Sequence, residues 1–160
     1  MQEDLDKVYL NPHVPGGFIL VEAKVISLID SYRQDRFFKK EAGGVLLGYR
    51  RGLHIHVSDA TRPQKKDLRT RFSFNRKDPH HQWYADKLWN KSGGVVGYLG
   101  EWHTHPEQSP KPSSIDIRDW LRIAKTQGTS CVFVIGASIG PSGLHLSCAC
   151  DEVNKLCKIT

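Results

Sequence analysis

Apolar side chains recur every three or four residues in three parts of the chain, a spacing typical of helices with one buried face. The predicted helices lie near residues 20 to 34, between Asp78 and Ser92, and from about Ile117 to Gly128. Pro79 favours the start of the second helix, because proline fits the first turn. Gly128 favours the end of the third, because glycine readily adopts the left-handed conformation that closes helices.

Shorter apolar runs, several bounded by glycine, predict strands between these helices. They lie at 43 to 49, 53 to 58, 70 to 75, 95 to 102, 131 to 135 and 144 to 149. The first two form a predicted hairpin around a charged turn. In the third, Phe72 and Phe74 alternate with polar residues and predict a core face, and Trp83, Trp89 and Trp102 are expected in the core as well. This order of elements predicts an α+β fold with a mixed, mostly antiparallel sheet packed by about three helices.

Length and composition predict one soluble domain over residues 1–160. The length suits a single core, and 39% apolar with 25% charged residues excludes intrinsic disorder. No apolar run of 18 residues is present and the first residues are acidic, so neither a membrane span nor a signal peptide is expected. Four cysteines are too few for a disulfide scaffold, which favours the cytoplasm.

The net charge of +6 raises the question of nucleic-acid binding. The basic residues are dispersed along the chain, and this pattern fits a solvated surface or an acidic protein partner equally well. Arg69 and Arg71 beside Phe72 and Phe74 could suit single-stranded nucleic acid, but strand alternation explains the same spacing. We therefore expect no nucleic-acid partner.

The segment from Gly100 to Asp116 carries the most specific chemical signal. His103 and His105 are two residues apart at the end of a predicted strand, so both imidazoles face the same side and can share one ion. Asp116 follows in the first turn of the third predicted helix. Two imidazoles and one carboxylate leave a fourth tetrahedral position open, which is typical of catalytic zinc sites.

Simpler interpretations of the same residues remain open. Ser113-x-x-Asp116 is also a good capping box for a helix. A second His-x-His pair, His54 and His56, has no Ser-x-x-Asp after it and is expected to be structural. Cys148, Cys150 and Cys157 lack a fourth ligand at zinc spacing, so buried thiols are the expected state of these residues.

His-x-His-Pro, then seven residues to a Ser and three more to an Asp, resembles the JAMM motif of JAB/MPN metallopeptidases. His103, His105, Ser113 and Asp116 fill its positions. The family also has a glutamate before a glycine-rich strand, and the segment from Glu41 to Gly48 is similar to that element. The resemblance covers about residues 41 to 128 and implies a JAB/MPN domain.

The resemblance implies a zinc metallopeptidase that cleaves amide or isopeptide bonds. His103, His105 and Asp116 would hold one Zn²⁺, and Glu41 would act as the general base and acid. Ser113 would donate its hydroxyl to the oxyanion. Glu101 lies on the same strand face as His103 and competes for the role of base, but the family pattern favours Glu41 and leaves Glu101 to orient an imidazole.

The residues around the motif resemble a narrower group within the family. Gly100-Glu-Trp-His-Thr-His-Pro and the upstream Phe74-Asn-Arg-Lys-Asp-Pro-His-His-Gln resemble small bacterial JAB proteins of anti-phage CBASS operons. This resemblance implies a cytoplasmic deconjugating peptidase. Its partners would be the C-terminal tail of a conjugated cyclic-nucleotide synthase and the E1/E2-like system that attaches it.

Three alternatives share parts of the motif. A sulfur-carrier-processing JAB peptidase would use the same zinc site on another small protein. A RadC-like DNA-associated protein suits the basic charge, but the Glu41 strand and the context of Trp102 favour the peptidase. A scaffold of the MPN type typically lacks ligands that this chain retains.

Overall fold

The computed structural model describes residues 5 to 159, which form three helices, an eight-stranded sheet and a two-stranded sheet. In chain order the elements are β1 (Lys7–Leu10), β2 (Phe18–Val21), α1 (Ala23–Asp30), β3 (Gly43–Arg51), β4 (His54–Ala60), β5 (Leu68–Thr70), β6 (Ser73–Asn75), α2 (His80–Lys91), β7 (Val96–Thr104), α3 (Ser114–Gln127), β8 (Cys131–Gly136), β9 (His145–Ala149) and β10 (Val153–Lys155). Within these residues, no helix is long and apolar enough to cross a membrane.

The large sheet has the strand order β1-β2-β4-β3-β7-β8-β9-β10, and β5 pairs with β6 separately. Two neighbouring pairs, β2 with β4 and β7 with β8, are parallel, and the others are antiparallel. The predicted α+β class, with a mixed and mostly antiparallel sheet and three helices, is therefore confirmed. The predicted hairpin of β3 and β4 and the second and third helices are confirmed as well.

Helices cover both faces of the sheet at its centre. On one face, Val132 and Val134 of β8 belong to the core cluster that includes Ile29 of α1. On the other face, Phe133 of β8 stacks on Trp120 of α3, with ring centroids 4.7 Å apart. Every residue of β8 is buried for this reason, as is usual for a strand covered on both sides.

The first predicted helix is wrong in its N-terminal part. Residues Phe18–Val21 form β2, which pairs with β1 and β4, and the helix begins only at Ala23. Ile19 and Val21 alternate into the core as strand residues do, so the apparent helical spacing that began at Val21 spans two different elements. Pairing between distant strands overrides the local pattern here.

The predicted strand at 70 to 75 is also wrong, because the segment folds back on itself. It contributes to the hairpin of β5 and β6, and Phe72 lies in the turn with 75% of its surface exposed. Of the aromatic residues expected in the core, Trp102 is buried, whereas Trp83 and Trp89 on α2 are more than half exposed. Aromatic content alone therefore did not identify the core.

A buried histidine at the start of α2 connects that helix to the sheet. The ring nitrogens of His81 lie 2.6 Å from Oγ1 of Thr61 and 2.7 Å from Oδ2 of Asp67. Nε2 donates to Asp67, because a carboxylate only accepts. Oγ1 of Thr61 also accepts the backbone N–H of Val45 on β3. The backbone carbonyl of Thr61 accepts the indole N–H of Trp102 on β7. The network thus joins α2 to two central strands.

The Asp67 carboxylate holds together the chain segments before β5 and after β6. Oδ1 accepts the backbone N–H groups of Lys77 and Asp78, and Oδ2 accepts the backbone N–H of Gln64 and the His81 ring. Burial alone would raise the pKa of Asp67, but these hydrogen bonds lower it overall. The ionised carboxylate therefore fixes the base of the β5–β6 hairpin.

We expect Asp67→Asn to lower the free energy of unfolding by about 2–4 kcal/mol, because the new amide turns donors toward groups that also donate. Chemical denaturation at neutral pH measures this change. Asp86→Asn is the matched control, since Asp86 is exposed on α2 and should change stability by less than about 0.5 kcal/mol. Equal stability of the two variants would contradict the structural role of Asp67.

Candidate metal and catalytic site

The end of β7 brings two imidazoles to one place. His103 lies on the strand and His105 follows it, with the buried Thr104 between them on the opposite side. The backbone here is fixed from both sides: Thr104 N–H donates to the carbonyl of Ala42, and His105 N–H donates to the carbonyl of Gly136. As predicted from the His-x-His spacing, Nε2 of His103 and Nε2 of His105 lie close together, 3.0 Å apart.

The start of α3 supplies the third side chain. Ser113 is the N-cap, and its hydroxyl accepts the backbone N–H of Asp116 at 3.1 Å. In return, Oδ2 of Asp116 accepts the backbone N–H of Ser113 at 2.8 Å. This is the capping box that the sequence allowed, and it also turns the Asp116 carboxylate toward the imidazoles.

The three groups fit a metal ion. Oδ1 of Asp116 lies 3.3 Å from Nε2 of His103, and Oδ2 lies 3.5 Å from Nε2 of His105. Two ligands of a tetrahedral zinc ion lie roughly 3.3 Å from each other, given bonds of about 2.0–2.1 Å. Two imidazoles and a carboxylate are also a donor set that suits zinc. Among residues 5 to 159, this is the one group of three or more such side chains whose ligand atoms converge.

Glu41 stands directly before β3 and is held by the neighbouring strands. Its backbone N–H donates to the carbonyl of Thr70 at 2.7 Å, and its carbonyl accepts Nε of Arg69 at 2.7 Å. The next residue, Ala42, donates its N–H to Oγ1 of Thr104 on β7. The Glu41 side chain is 5% exposed and lines the same cavity as both imidazoles.

The pKa values of the two carboxylates in this site, Glu41 and Asp116, shift in opposite directions. Burial raises the pKa of Glu41 to about 7, although the nearby His103 and His105 act in the opposite direction. Burial would also raise the pKa of Asp116, but its hydrogen bonds to both imidazoles hold it well below the usual range. One carboxylate is thus suited to exchange protons near neutral pH, and the other stays ionised.

The cavity has a volume of about 350 Å³ and is walled by β6, β7, α3 and the segment after β7. Its lining includes Glu41, Phe72, Phe74, Arg76, Glu101, His103, His105, Glu107, Ser113, Ile115, Asp116, Asp119 and Trp120. Gly43 allows this wall to close: a Cβ there would lie 2.6 Å from the Phe74 ring and 2.7 Å from the carbonyl oxygen of Trp102. The structure therefore brings all six predicted site residues into one cavity.

Glu101 has a different partner from the one expected. Its Oε1 accepts Nη2 of Arg76 at 2.7 Å on the cavity wall. No hydrogen bond joins Glu101 to His103 or His105 in the described part of the chain. Beside His105, the structure instead places Glu107, whose Oε1 lies 3.7 Å from Nδ1 of His105.

The other candidate ligands make ordinary structural contacts. Nδ1 of His54 accepts the backbone N–H of Phe18, and Nε2 of His56 lies 2.7 Å from Oε1 of Glu22. The four cysteines are free thiols, and Cys148 is buried as expected, but Cys150 is only half-buried and Cys157 is exposed. None of these residues joins a metal-binding group within residues 5 to 159.

Sequence reasoning missed three residues of the cavity wall. Arg76 follows the β5–β6 hairpin and reaches Glu101 only because that segment folds back over β7. Trp120 packs beside the His103 ring, with centroids 6.3 Å apart. Glu107 could have been predicted from the sequence, because it lies two residues after His105 and metal-bound imidazoles commonly have a carboxylate at their other nitrogen. The other two contacts are long-range and leave no local pattern.

The chain is similar to known proteins in sequence. Residues 25–148 match the family described as prokaryotic homologs of the JAB domain. A CD-NTase/cGAS isopeptidase from Escherichia coli is 42% identical over 103 residues, which are 64% of this chain and 66% of that protein, just under two thirds of its length. A CD-NTase/cGAS isopeptidase from Vibrio cholerae is 36% identical over 136 residues, 85% of this chain and 86% of that protein.

A solved structure has a similar fold. The solution structure of protein DSY2949 from Desulfitobacterium hafniense matches 84% of this chain and 87% of that chain with a TM-score of 0.58. The two sequences are 22% identical over this match. The likeness therefore concerns the fold alone.

Proposed function

Because the chain belongs to the prokaryotic JAB family, we propose that it is a zinc isopeptidase that releases a protein conjugated to a target through its C-terminus. The observation that carries this proposal is the convergence of His103, His105 and Asp116 beside Glu41 in one cavity. The relatives named CD-NTase/cGAS isopeptidase support the type of bond. They also favour a cyclic-nucleotide synthase as the conjugated protein.

The metal would be held by Nε2 of His103, Nε2 of His105 and the carboxylate of Asp116. A zinc ion there would supply Lewis-acid polarisation of the scissile carbonyl and acidify a water molecule. The backbone hydrogen bonds around Thr104 and the capping box of α3 position these ligands before the ion binds. Such preorganisation keeps the ordering cost of binding low.

Glu41 would move the protons of the reaction. It takes a proton from the attacking water as the water oxygen bonds to the carbonyl carbon, and it gives that proton to the amine nitrogen as the C–N bond breaks. Both transfers are efficient when the pKa of the group lies near the working pH, and burial places the pKa of Glu41 at about 7. Its position directly before β3 aims the carboxylate into the cavity.

Ser113 would stabilise the negative charge that develops on the carbonyl oxygen. Its oxygen accepts the backbone N–H of Asp116, which leaves the hydroxyl proton free to be donated into the cavity. The residue therefore combines two roles, a helix cap and an oxyanion donor, that the sequence had left as alternatives.

We expect Ser113→Ala to lower kcat by about 10²- to 10³-fold and the free energy of unfolding by about 1 kcal/mol. Quenched time-course assays on folded, metal-loaded protein give kcat, and chemical denaturation gives the free energy of unfolding. Ser113→Thr keeps a hydroxyl and should retain much of both. Ser114→Ala alters the neighbouring exposed serine and is the control. A loss of stability without a loss of kcat would leave Ser113 as a cap alone.

A groove of about 1010 Å³ continues from the cavity between the β5–β6 hairpin and α3. Cavity and groove share Ser73, Phe74, Arg76, Glu101, Ile115 and Asp119. Within residues 5 to 159, β6 pairs only with β5, so its other edge is free for a further strand. An extended C-terminal tail would add to this edge and run along the groove, with its last carbonyl over the metal ligands.

We propose that an E1/E2-like ligase forms the conjugate that this enzyme opens, as part of anti-phage defence in the bacterial cytoplasm. We also propose that residues 1–160 act as one domain. Deconjugation would return the synthase and its target to their free forms.

The test is intact-mass analysis after the protein is mixed with a cyclic-nucleotide synthase tail fused through its C-terminus to a reporter. Cleavage directly after the last residue of the tail, lost on addition of a chelator and restored by zinc, would support the proposal. A tail with exchanged final residues should resist cleavage, because the groove would bind the natural final residues through specific contacts. Cleavage of a sulfur-carrier fusion instead of the synthase fusion would overturn the choice of substrate.

A further inference from the structure

Phenyl rings and basic groups are exposed on two hydrogen-bonded chain segments, one of which reaches the cavity through Phe72. Phe37, Phe38 and Phe72 are 82%, 68% and 75% exposed. Phe37 and Phe38 pack edge to face, with centroids 5.7 Å apart, in the segment between α1 and β3. We call these three rings with Arg36, Lys40 and Arg71 the aromatic-basic surface.

Hydrogen bonds hold the two segments of this surface together. Gln34 is 2% exposed, and its Nε2 donates to the carbonyls of Arg71 and Lys39. Its Oε1 accepts the hydroxyl of Thr104, the residue between the two imidazoles. Nη1 of Arg71 donates to the carbonyl of Arg36 at 3.1 Å. The exposed rings are therefore carried by a segment that is anchored to the end of β7.

The position of this surface relates it to the substrate. Phe72 is at once part of the surface and part of the cavity lining. A protein whose tail occupies the cavity must have its folded body at the mouth, beside Phe72 and the hydrogen-bonded segment that carries Phe37 and Phe38. Large exposed aromatic side chains in one patch are typical of interaction sites.

The charge of the surface indicates the chemistry of the partner. Residues 33 to 40 and 69 to 72 contain six Arg or Lys side chains and one acidic residue, Asp35. That residue is already paired, with Lys39 at 2.6 Å and Arg33 at 3.5 Å. The complementary face of a partner would be acidic around an apolar centre.

We propose that the aromatic-basic surface docks the folded body of the conjugated protein through an acidic face with an apolar centre. This inference rests on the proposed function and extends it from the tail to the body of the substrate. Docking adds binding energy outside the cavity, so it lowers KM for the whole conjugate and leaves the chemical step unchanged. Short tail substrates do not gain from it.

The test compares two substrates of the zinc-loaded enzyme: the whole folded conjugate and a reporter joined to the tail alone. In Phe37→Ser/Phe38→Ser, we expect KM for the whole conjugate to rise about 10-fold with kcat unchanged. Cleavage of the tail reporter should stay within about twofold of the wild type. The matched control is Trp83→Ser, which removes an exposed ring from α2 and should alter neither substrate's KM.

Other results would overturn the inference in recognisable ways. Equal KM values for the double variant and the wild type on the whole conjugate would remove the docking role. Salt-sensitive binding of a labelled single-stranded oligonucleotide, lost in the double variant while conjugate cleavage is normal, would assign the surface to nucleic acid. Self-association lost in the same way would assign it to a second copy. If the wild type cleaved neither substrate, the proposed function itself would fail.

Discussion

Glu41→Gln is expected to lower kcat by about 10²- to 10⁴-fold while the protein stays folded and binds one metal ion. Glutamine has the size of glutamate and can occupy the same buried position beside β3, but it cannot take up or release the proton. KM should change little, because Glu41 acts on the reacting atoms and not on the tail. Steady-state kinetics with the tail reporter, together with the zinc content of the variant, measure these effects.

Glu101→Gln is the informative control for this experiment. Glu101 lines the same cavity, but its carboxylate is engaged by Arg76. We expect the Glu101 variant to keep most of its kcat. The reverse outcome, with a nearly inactive Glu101 variant and an active Glu41 variant, would make Glu101 the general base.

His103→Ala should abolish metal binding and with it the cleavage of every substrate. Removing one of the three proposed ligands leaves His105 and Asp116, and two ligands hold zinc far more weakly than three. Elemental analysis after dialysis against a weak chelator should show about one zinc per wild-type chain and almost none in the variant. Added zinc should fail to restore activity at concentrations that saturate the wild type.

The second His-x-His pair supplies the control for this loss. His54→Ala removes an imidazole that accepts the Phe18 backbone N–H on β2, far along the chain from the motif. It should keep the full zinc content and nearly full activity. A normal zinc content in His103→Ala would contradict the ligand assignment, whatever its effect on cleavage.

The sequence was most informative where chemistry depends on short spacing. His-x-His at a strand end and Ser-x-x-Asp at a helix start each place their side chains by local geometry, and the structure brings the two pairs together. Glu41 lies some sixty residues upstream. The family pattern implied its role in the site, but its position there depends on the pairing of β3 with β7, which no local pattern in the sequence predicted.

The sequence was least informative where distant segments meet. Phe72 alternates with polar residues as a core strand would, yet a turn that forms around it leaves the ring exposed. His81 carries no visible mark of burial, since its partners Thr61 and Asp67 lie 20 and 14 residues away. Such contacts are decided by tertiary packing, which single-sequence patterns do not record.

The capping box at the start of α3 links two processes that are usually discussed separately. The carboxylate that closes the first turn of the helix, Asp116, also faces both imidazoles. With Asp116 as a proposed metal ligand, fraying of that turn would withdraw the ligand, so the apparent metal affinity would include the equilibrium between the frayed and closed ends of the helix. Conversely, zinc would bind only the closed form and stabilise it by mass action. A metal bound by the proposed ligands would thereby stabilise the first turn of α3, and first-turn substitutions that never touch the ion would alter how tightly it is held.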